Sequence, residues 1–311
     1  MSANILGLHH VTAIAGNAKK NYEFYTKVLG LRIVKKTVNF DDPGTYHLYY
    51  GNETGEPGTI LTFPPWDGIR RGRIGTGQAT STSFSIPEHS ASFWLNRFQE
   101  YDVIYDNSSS RFEEEVLTFL DPDGLKLELV SHSSKDERKP WSTSEISQDR
   151  ALKGFYNVTL TLEGYEGTAK LLTELFGYEL ADEHINRFRF VNKNSETANI
   201  IDLVCLPSGK RGSVAGGSVH HIAFRVANEG EQLEAREKLI EMGYNITPQL
   251  DRNYFKSVYF REPGGMLFEI ATDLPGFTAD EEAENLGQEL KLPEWLEPRR
   301  KEIGNVLPKL S

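Results

Sequence analysis

The alternation of apolar and polar positions repeats one arrangement four times along the chain. Residues 5 to 63 open on a strand-like run, Leu8-His-His-Val-Thr-Ala-Ile14. A helical stretch follows in which Tyr22, Phe24, Tyr25, Val28 and Leu29 share one face and Gly30 is placed to stop the helix. Three further strand candidates span Leu31 to Asn39, Tyr46 to Tyr50 and Gly58 to Phe63, separated by the turn Asp41-Asp-Pro-Gly44 and by residues 52 to 57. The order is strand, helix, three strands. It recurs from Ala79, with a strand from Thr80 to Ile86, a helix over about His89 to Glu100, and strands that close through Asp121-Pro-Asp-Gly124 into Leu125 to Val130. A third unit has a strand at Tyr156 to Leu162, a helix at Gly167 to Phe176 stopped by Gly177, and strands through Arg187 to Val191 and Asn199 to Leu206. The fourth starts at Val219, with a helix from Glu229 to Met242 stopped by Gly243. Units one, three and four end their helices on glycine; the second has Gln99-Glu-Tyr-Asp there.

Aligning the first strands sets Thr82, Asn157 and His221 level with His10. Aligning the last strands sets Thr62, Glu128 and Asp202 level with Glu269. The first-to-last separations are then 52, 46, 45 and 48 residues by subtraction. A regular period of this size marks an array of one supersecondary unit, so the expectation is an α+β fold of four tandem βαβββ modules. Residues 136–149 are polar and charged and read as a crossover linker. Residues 276–311 read as a helical tail, its acidic run Asp280 to Glu284 suiting a solvated helix start.

Composition narrows the partners. Net charge is −11 and the isoelectric point near 5.3, with no basic stripe to offset it, which argues against nucleic acid and anionic membranes. A single cysteine, Cys205, rules out an intrachain disulfide and suits a reducing compartment. No run approaches ~20 apolar residues and no signal-like start is visible, so a cytoplasmic protein is expected. A homo-oligomer stays open.

The chemistry lies at strand ends. Two strands carry paired histidines, His9-His10 and His220-His221, and the hairpin Tyr259 to Ile270 ends in Glu269 on an otherwise apolar strand. Two imidazoles and a carboxylate on rigid strands are the material of an open metal site. Alternation along a strand lets only one histidine of each pair point straight into a given cup, and it puts Thr12 on the face of His10. With the turn at Glu262-Pro-Gly-Gly265, the hairpin sets Tyr259 opposite Glu269.

Four such modules resemble the vicinal oxygen chelate superfamily of glyoxalase, bleomycin resistance and extradiol dioxygenase proteins. Within it the chain is most similar to the hydroquinone-type ring-cleaving dioxygenases. The likeness is carried by Leu8-His-His-Val-Thr12, Tyr46-His-Leu-Tyr-Tyr50, Val219-His-His-Ile-Ala-Phe224 and Asp251-Arg-Asn-Tyr-Phe255 leading to Tyr259 and Glu269. It implies two glyoxalase-like half-barrel domains and a metal held by His10, His221 and Glu269. Fe(II) is the expected active ion, with Mn, Ni or Zn accommodated as purified. A shared cup then requires residues 1–75 (module one) to pack with 215–275 (module four), leaving 76–135 and 150–210 as the second domain. Arg252, Tyr259, Thr12, His220 and His9 are the expected catalytic neighbours, the histidines as proton carriers, and Tyr49, Phe255 and Phe277 the expected pocket wall. The implied reaction is opening of a hydroquinone- or catechol-like ring with O2. The alternatives are a glyoxalase-type isomerase or lyase, or a non-catalytic aromatic-compound-binding resistance protein. Glyoxalase-like sites take a ligand from the last strand of both paired units, and Thr62 at that place counts against them. Thr82, Asn157, Glu128 and Asp202 make a poor ligand set, so the second cup is expected to be a structural duplicate.

Overall fold

A computed structural model describes residues 2–310. Module one comprises β1 (Leu8–Ile14), α1 (Ala18–Glu23) running on through a π turn at Phe24–Val28, β2 (Arg32–Val38), β3 (Tyr46–Gly51) and β4 (Ile60–Phe63). Module two is β5 (Gln78–Ile86), α2 (Ala91–Glu100), β6 (Ser109–Arg111), β7 (Glu114–Leu120) and β8 (Lys126–Ser131). Module three is β9 (Gly154–Leu162), α3 (Glu166–Glu174), β10 (Tyr178–His184), β11 (Arg187–Asn192) and β12 (Ile200–Cys205). Module four is β13 (Ser218–Val226), α4 (Glu229–Glu241), β14 (Leu250–Asp251), β15 (Lys256–Arg261) and β16 (Leu267–Thr272). The helix stops follow the glycines, with Gly30, Gly177 and Gly243 at φ of 66°, 70° and 87°. In module two, Asp102 takes the left-handed conformation instead, at φ 51°; a short polar side chain tolerates it where a branched one would not.

Among the described residues, sixteen strands form two eight-stranded curled sheets, ordered β14-β15-β16-β13-β1-β4-β3-β2 and β10-β11-β12-β9-β5-β8-β7-β6. Each sheet joins two modules through their antiparallel first strands, β1 with β13 and β5 with β9. Modules one and four thus share one sheet, and modules two and three the other. One continuous core, including Tyr25, Trp94, Phe98, Leu171, Phe176 and Leu239, packs the helices between the sheets.

The C-terminal tail departs from the expected helix. It runs as short 3₁₀ segments at Phe277–Ala279, Ala283–Asn285 and Glu294–Arg299, and among the described residues of the tail only α5 (Arg300–Val306) is α-helical. Gly276, Gly287, Pro293 and Pro298 break the segment too often for a longer helix. Instead the tail lies along the open edge of β2, where Leu290 bridges Lys36 and the Lys291 N–H donates to the Lys36 carbonyl at 2.8 Å. That covers an edge otherwise free to pair with another chain. Among the described residues no helix is long and apolar enough to cross a membrane.

Candidate metal site

Register alone brings distant parts of the sequence together on one face. One row across the sheet reads Tyr49, Thr62, Thr12, His221. The neighbouring row reads Ile60, His10, Ala223, Glu269, Tyr259. His10, His221 and Glu269 therefore come from three adjacent strands in the middle of the sheet, β1, β13 and β16.

Their ligand atoms form a tight triangle. His10 Nε2 and His221 Nε2 lie 3.2 and 2.9 Å from Glu269 Oε2, and 3.4 Å from each other. All three residues are buried, and Glu269 Oε2 has no hydrogen-bond partner. Adjacent donors around an ion with bonds of about 2.1 Å stand roughly 3 Å apart, so the triangle suits three neighbouring corners of one shell. A carboxylate oxygen buried without a partner is costly unless something cationic occupies that point. The donor set therefore fits a divalent metal. Burial works against the charge on Glu269, and it takes positive charge at His10 and His221, or at an ion between them, to hold the carboxyl well below its ordinary range.

Each ligand is oriented by a neighbour. His9 Nδ1 stands 2.9 Å from His10 Nδ1, and His220 Nδ1 stands 2.8 Å from His221 Nδ1. A histidine that binds metal through Nε2 carries its proton on Nδ1, so His10 and His221 donate and His9 and His220 accept. His9 then holds its own proton on Nε2, 3.1 Å from the Thr272 carbonyl. The paired histidines are ligand and orienter, used twice. Ser257 completes the set by donating its hydroxyl to Glu269 Oε1, which leaves Oε2 free. In the sequence Ser257 is marked only by standing two residues before Tyr259, which puts it on the same face.

The triangle opens on a cavity of about 290 Å³. His10, Thr12, His220, His221, Arg252 and Tyr259 all line it, with Tyr49, Phe255, His47 and, toward the mouth, Phe40 and Trp66. Arg252 Nε donates to the Tyr259 hydroxyl at 3.3 Å, and its guanidinium stands 5.4 Å from the Tyr259 ring centre. The neighbouring Asp251 pairs with Lys256, so Arg252 keeps its charge for the cavity. Burial, reinforced by Glu269, lifts the Tyr259 hydroxyl well above its usual range, so it stays protonated. Burial and then repulsion from His221 and His10 pull His47 down to about 3.

Two expected residues lie elsewhere. His9 does not line this cavity; it is 2 % exposed, wedged between His10, Phe255 and the Thr272 carbonyl, and meets the ligand His10 rather than the cavity. Phe277 stands behind the wall, its ring 5.1 Å from that of Tyr49.

The equivalent place in the second sheet is filled by arginines. Arg111 Nη2 binds Glu128 Oε2 at 2.7 Å, and Arg187 and Arg189 bind Asp202 at 3.0 and 2.8 Å. Three guanidinium groups supply there the positive charge that a metal would supply in the first cup. Among the described residues, His10, His221 and Glu269 form the one cluster with metal-ligand spacing.

This fold and this cluster agree with the comparisons. Residues 7–129 and 157–270 match the glyoxalase/bleomycin resistance protein/dioxygenase superfamily. The chain belongs to that superfamily. A relative from Bacillus subtilis strain 168, named as a candidate ring-cleaving dioxygenase, MhqO, is 46% identical over 307 residues, covering 99% of this chain and 97% of its own. The chlorohydroquinone/hydroquinone 1,2-dioxygenase of Sphingobium indicum is 34% identical over 303 residues, 96% of this chain and 94% of its own. A crystal structure of a candidate dioxygenase from Bacillus subtilis superposes with a TM-score of 0.96 at 44% identity, covering 100% of this chain and 99% of that one.

Proposed function

We propose that the protein is a metal-dependent ring-cleaving dioxygenase that opens a hydroquinone-like ring with O2, with His10, His221 and Glu269 as ligands to Fe(II). The observation that carries the reading is the buried triangle of ligand atoms, 2.9 to 3.4 Å on a side, with Glu269 Oε2 unpartnered at the floor of a cavity. Bound there, Fe(II) would supply a Lewis acid for a phenolic oxygen and a path for electrons from the ring to O2.

The rest is done by the chain's own side chains. Arg252 places a fixed positive charge on the cavity wall, which favours a substrate that has lost a phenolic proton. Tyr259, protonated and on the row of Glu269, offers its hydroxyl hydrogen to an oxygen of the reacting ring. His220 accepts from His221 at Nδ1, so the hydrogen it can offer is at Nε2. That makes it a donor, and only a ring that breaks from His221 could act as a base. Thr12, between Thr62 and His221, borders the substrate beside the ligands. Phe255 lies tilted against both His9 and His10, with ring centres 5.1 and 4.9 Å away, and shields the ligands from water. The free Cys205 agrees with a reducing, cytoplasmic setting.

An oxygen electrode tests the reading. Anaerobically Fe(II)-loaded protein should take up one O2 per hydroquinone ring opened. If no hydroquinone or catechol draws oxygen while a thiol adduct of methylglyoxal is isomerised, the isomerase reading replaces this one.

A further inference from the structure

Lys35 is a cation buried in the site sheet with a role the ligands do not explain. In β2, Ile33 pairs with Tyr50 whereas Lys35 pairs with Tyr49, and an irregularity lies between them. In a regular strand residues 33 and 35 would share a face; the bulge sends Lys35 instead to the cavity face beside Tyr49. Its side chain is 0 % exposed. A lysine so placed needs charged partners, because an unpaired ammonium in the interior is strongly disfavoured.

Both partners come from the tail. Lys35 Nζ donates to Asp280 and Glu281, and it stands 4.8 Å from the ring centre of Tyr254, whose hydroxyl donates to Asp280 at 3.0 Å. The same strap carries Phe277, 5.1 Å from the rings of both Tyr49 and Tyr254. It also runs close under β2 at Gly287, where φ is +72° and a Cβ would stand 2.0 Å from the Ile33 carbonyl oxygen. Tyr49 and Phe255 line the cavity, and both cluster with Phe277 and Leu286 of the strap.

We propose that Lys35 is a positioning residue: it latches the strap of residues 277–287 behind the cavity wall and so fixes Tyr49 and Phe255 against the substrate. The latch is ionic rather than wholly apolar, since Glu281 is buried with Oε1 unpartnered and is held through Oε2. Its kinetic consequence rests on the ring-cleavage reading; the seating of the strap does not.

The test uses the full-length, Fe(II)-loaded protein, with Lys35→Met and with the triple variant Lys35→Met/Asp280→Asn/Glu281→Gln. In Lys35→Met two carboxylates face an apolar wall, so amide exchange over residues 277–287 should accelerate roughly 100-fold. KM for unsubstituted hydroquinone should rise about 10-fold with kcat within about twofold, the pattern of lost substrate binding without lost chemistry. The neutral triple variant leaves no bare buried charge but has no latch, so it should recover part of both and stay looser than wild type. Unchanged exchange and KM in Lys35→Met, or full recovery in the triple, would overturn the latch. Should Lys35→Met not fold, Asp280→Asn/Glu281→Gln strips the same ion pairs and must show the same loosening. If the wild type consumes no O2 with any ring substrate, ring cleavage fails while the exchange data still judge the latch.

Discussion

Replacing Ser257 with alanine isolates how the carboxylate ligand is held. Ser257 and Glu269 are both fully buried, and the serine hydroxyl donates to Oε1. Hydrogen bonds to a buried charged group are worth about 1.5–3 kcal/mol. Without this one the carboxylate can turn, and Oε2 leaves the triangle it forms with His10 and His221. Loss of an outer partner of a metal ligand typically weakens metal binding 10–100-fold, which is about 1.4–2.7 kcal/mol, in the range of the hydrogen bond itself. The measurement is an anaerobic Fe(II) titration against a competing chelator, for wild type and Ser257→Ala, with thermal unfolding of the metal-free proteins alongside. We expect a metal Kd raised 10–100-fold. A Kd within twofold of wild type, with unchanged melting, would show that Glu269 is positioned without Ser257.

Three further outcomes follow from the geometry. Tyr259→Phe removes one donor aimed at the reacting ring and should lower kcat on the order of 100-fold while metal content stays at wild-type level; loss of metal instead would mean that Tyr259 is structural. His47 has a folded-state pKa of about 3 against 6.5 for the free side chain, so between these values the unfolded chain binds the extra proton. Its contribution is complete above about pH 6.5 and is lost on acidification, at up to about 1.4 kcal/mol per pH unit. Denaturant midpoints from pH 7 to 5 should therefore fall less steeply in His47→Asn than in wild type, and parallel curves would contradict the assignment. Arg189→Met leaves Asp202 and Glu114 short of a buried partner and should cost about 3–5 kcal/mol in chemical unfolding with the metal content unchanged; a loss of metal would tie the second cup to the first.

The fourfold repeat was legible because each module buries its strands and helix with the same period, and three of four helices stop on a glycine that the left-handed turn requires. The pairing of Tyr259 with Glu269 was legible because a tight turn fixes register. The role of His9 was not. Alternation along a strand says that it faces away from His10, but only the folded chain shows that its ring reaches back to hold His10 Nδ1 and is capped by the Thr272 carbonyl, 263 positions away in sequence. The arginines of the second cup were missed for a related reason: the alignment compared only first and last strands, whereas Arg187 and Arg189 lie one strand from Asp202 and Arg111 lies two strands from Glu128. The tail misled because its acidic run resembles a helix start. Two of those acids, Asp280 and Glu281, are spent on a buried lysine that a one-residue bulge brings to them, and bulges leave little trace in an alternating pattern.

Metal stoichiometry puts the account to its most direct trial, because the two cups of one chain serve as each other's control. Equilibrium dialysis of the metal-free protein against Fe(II) without oxygen should give one ion per chain, and Glu269→Ala should give none. Two ions per chain, or one retained by Glu269→Ala, would contradict the placement of the site.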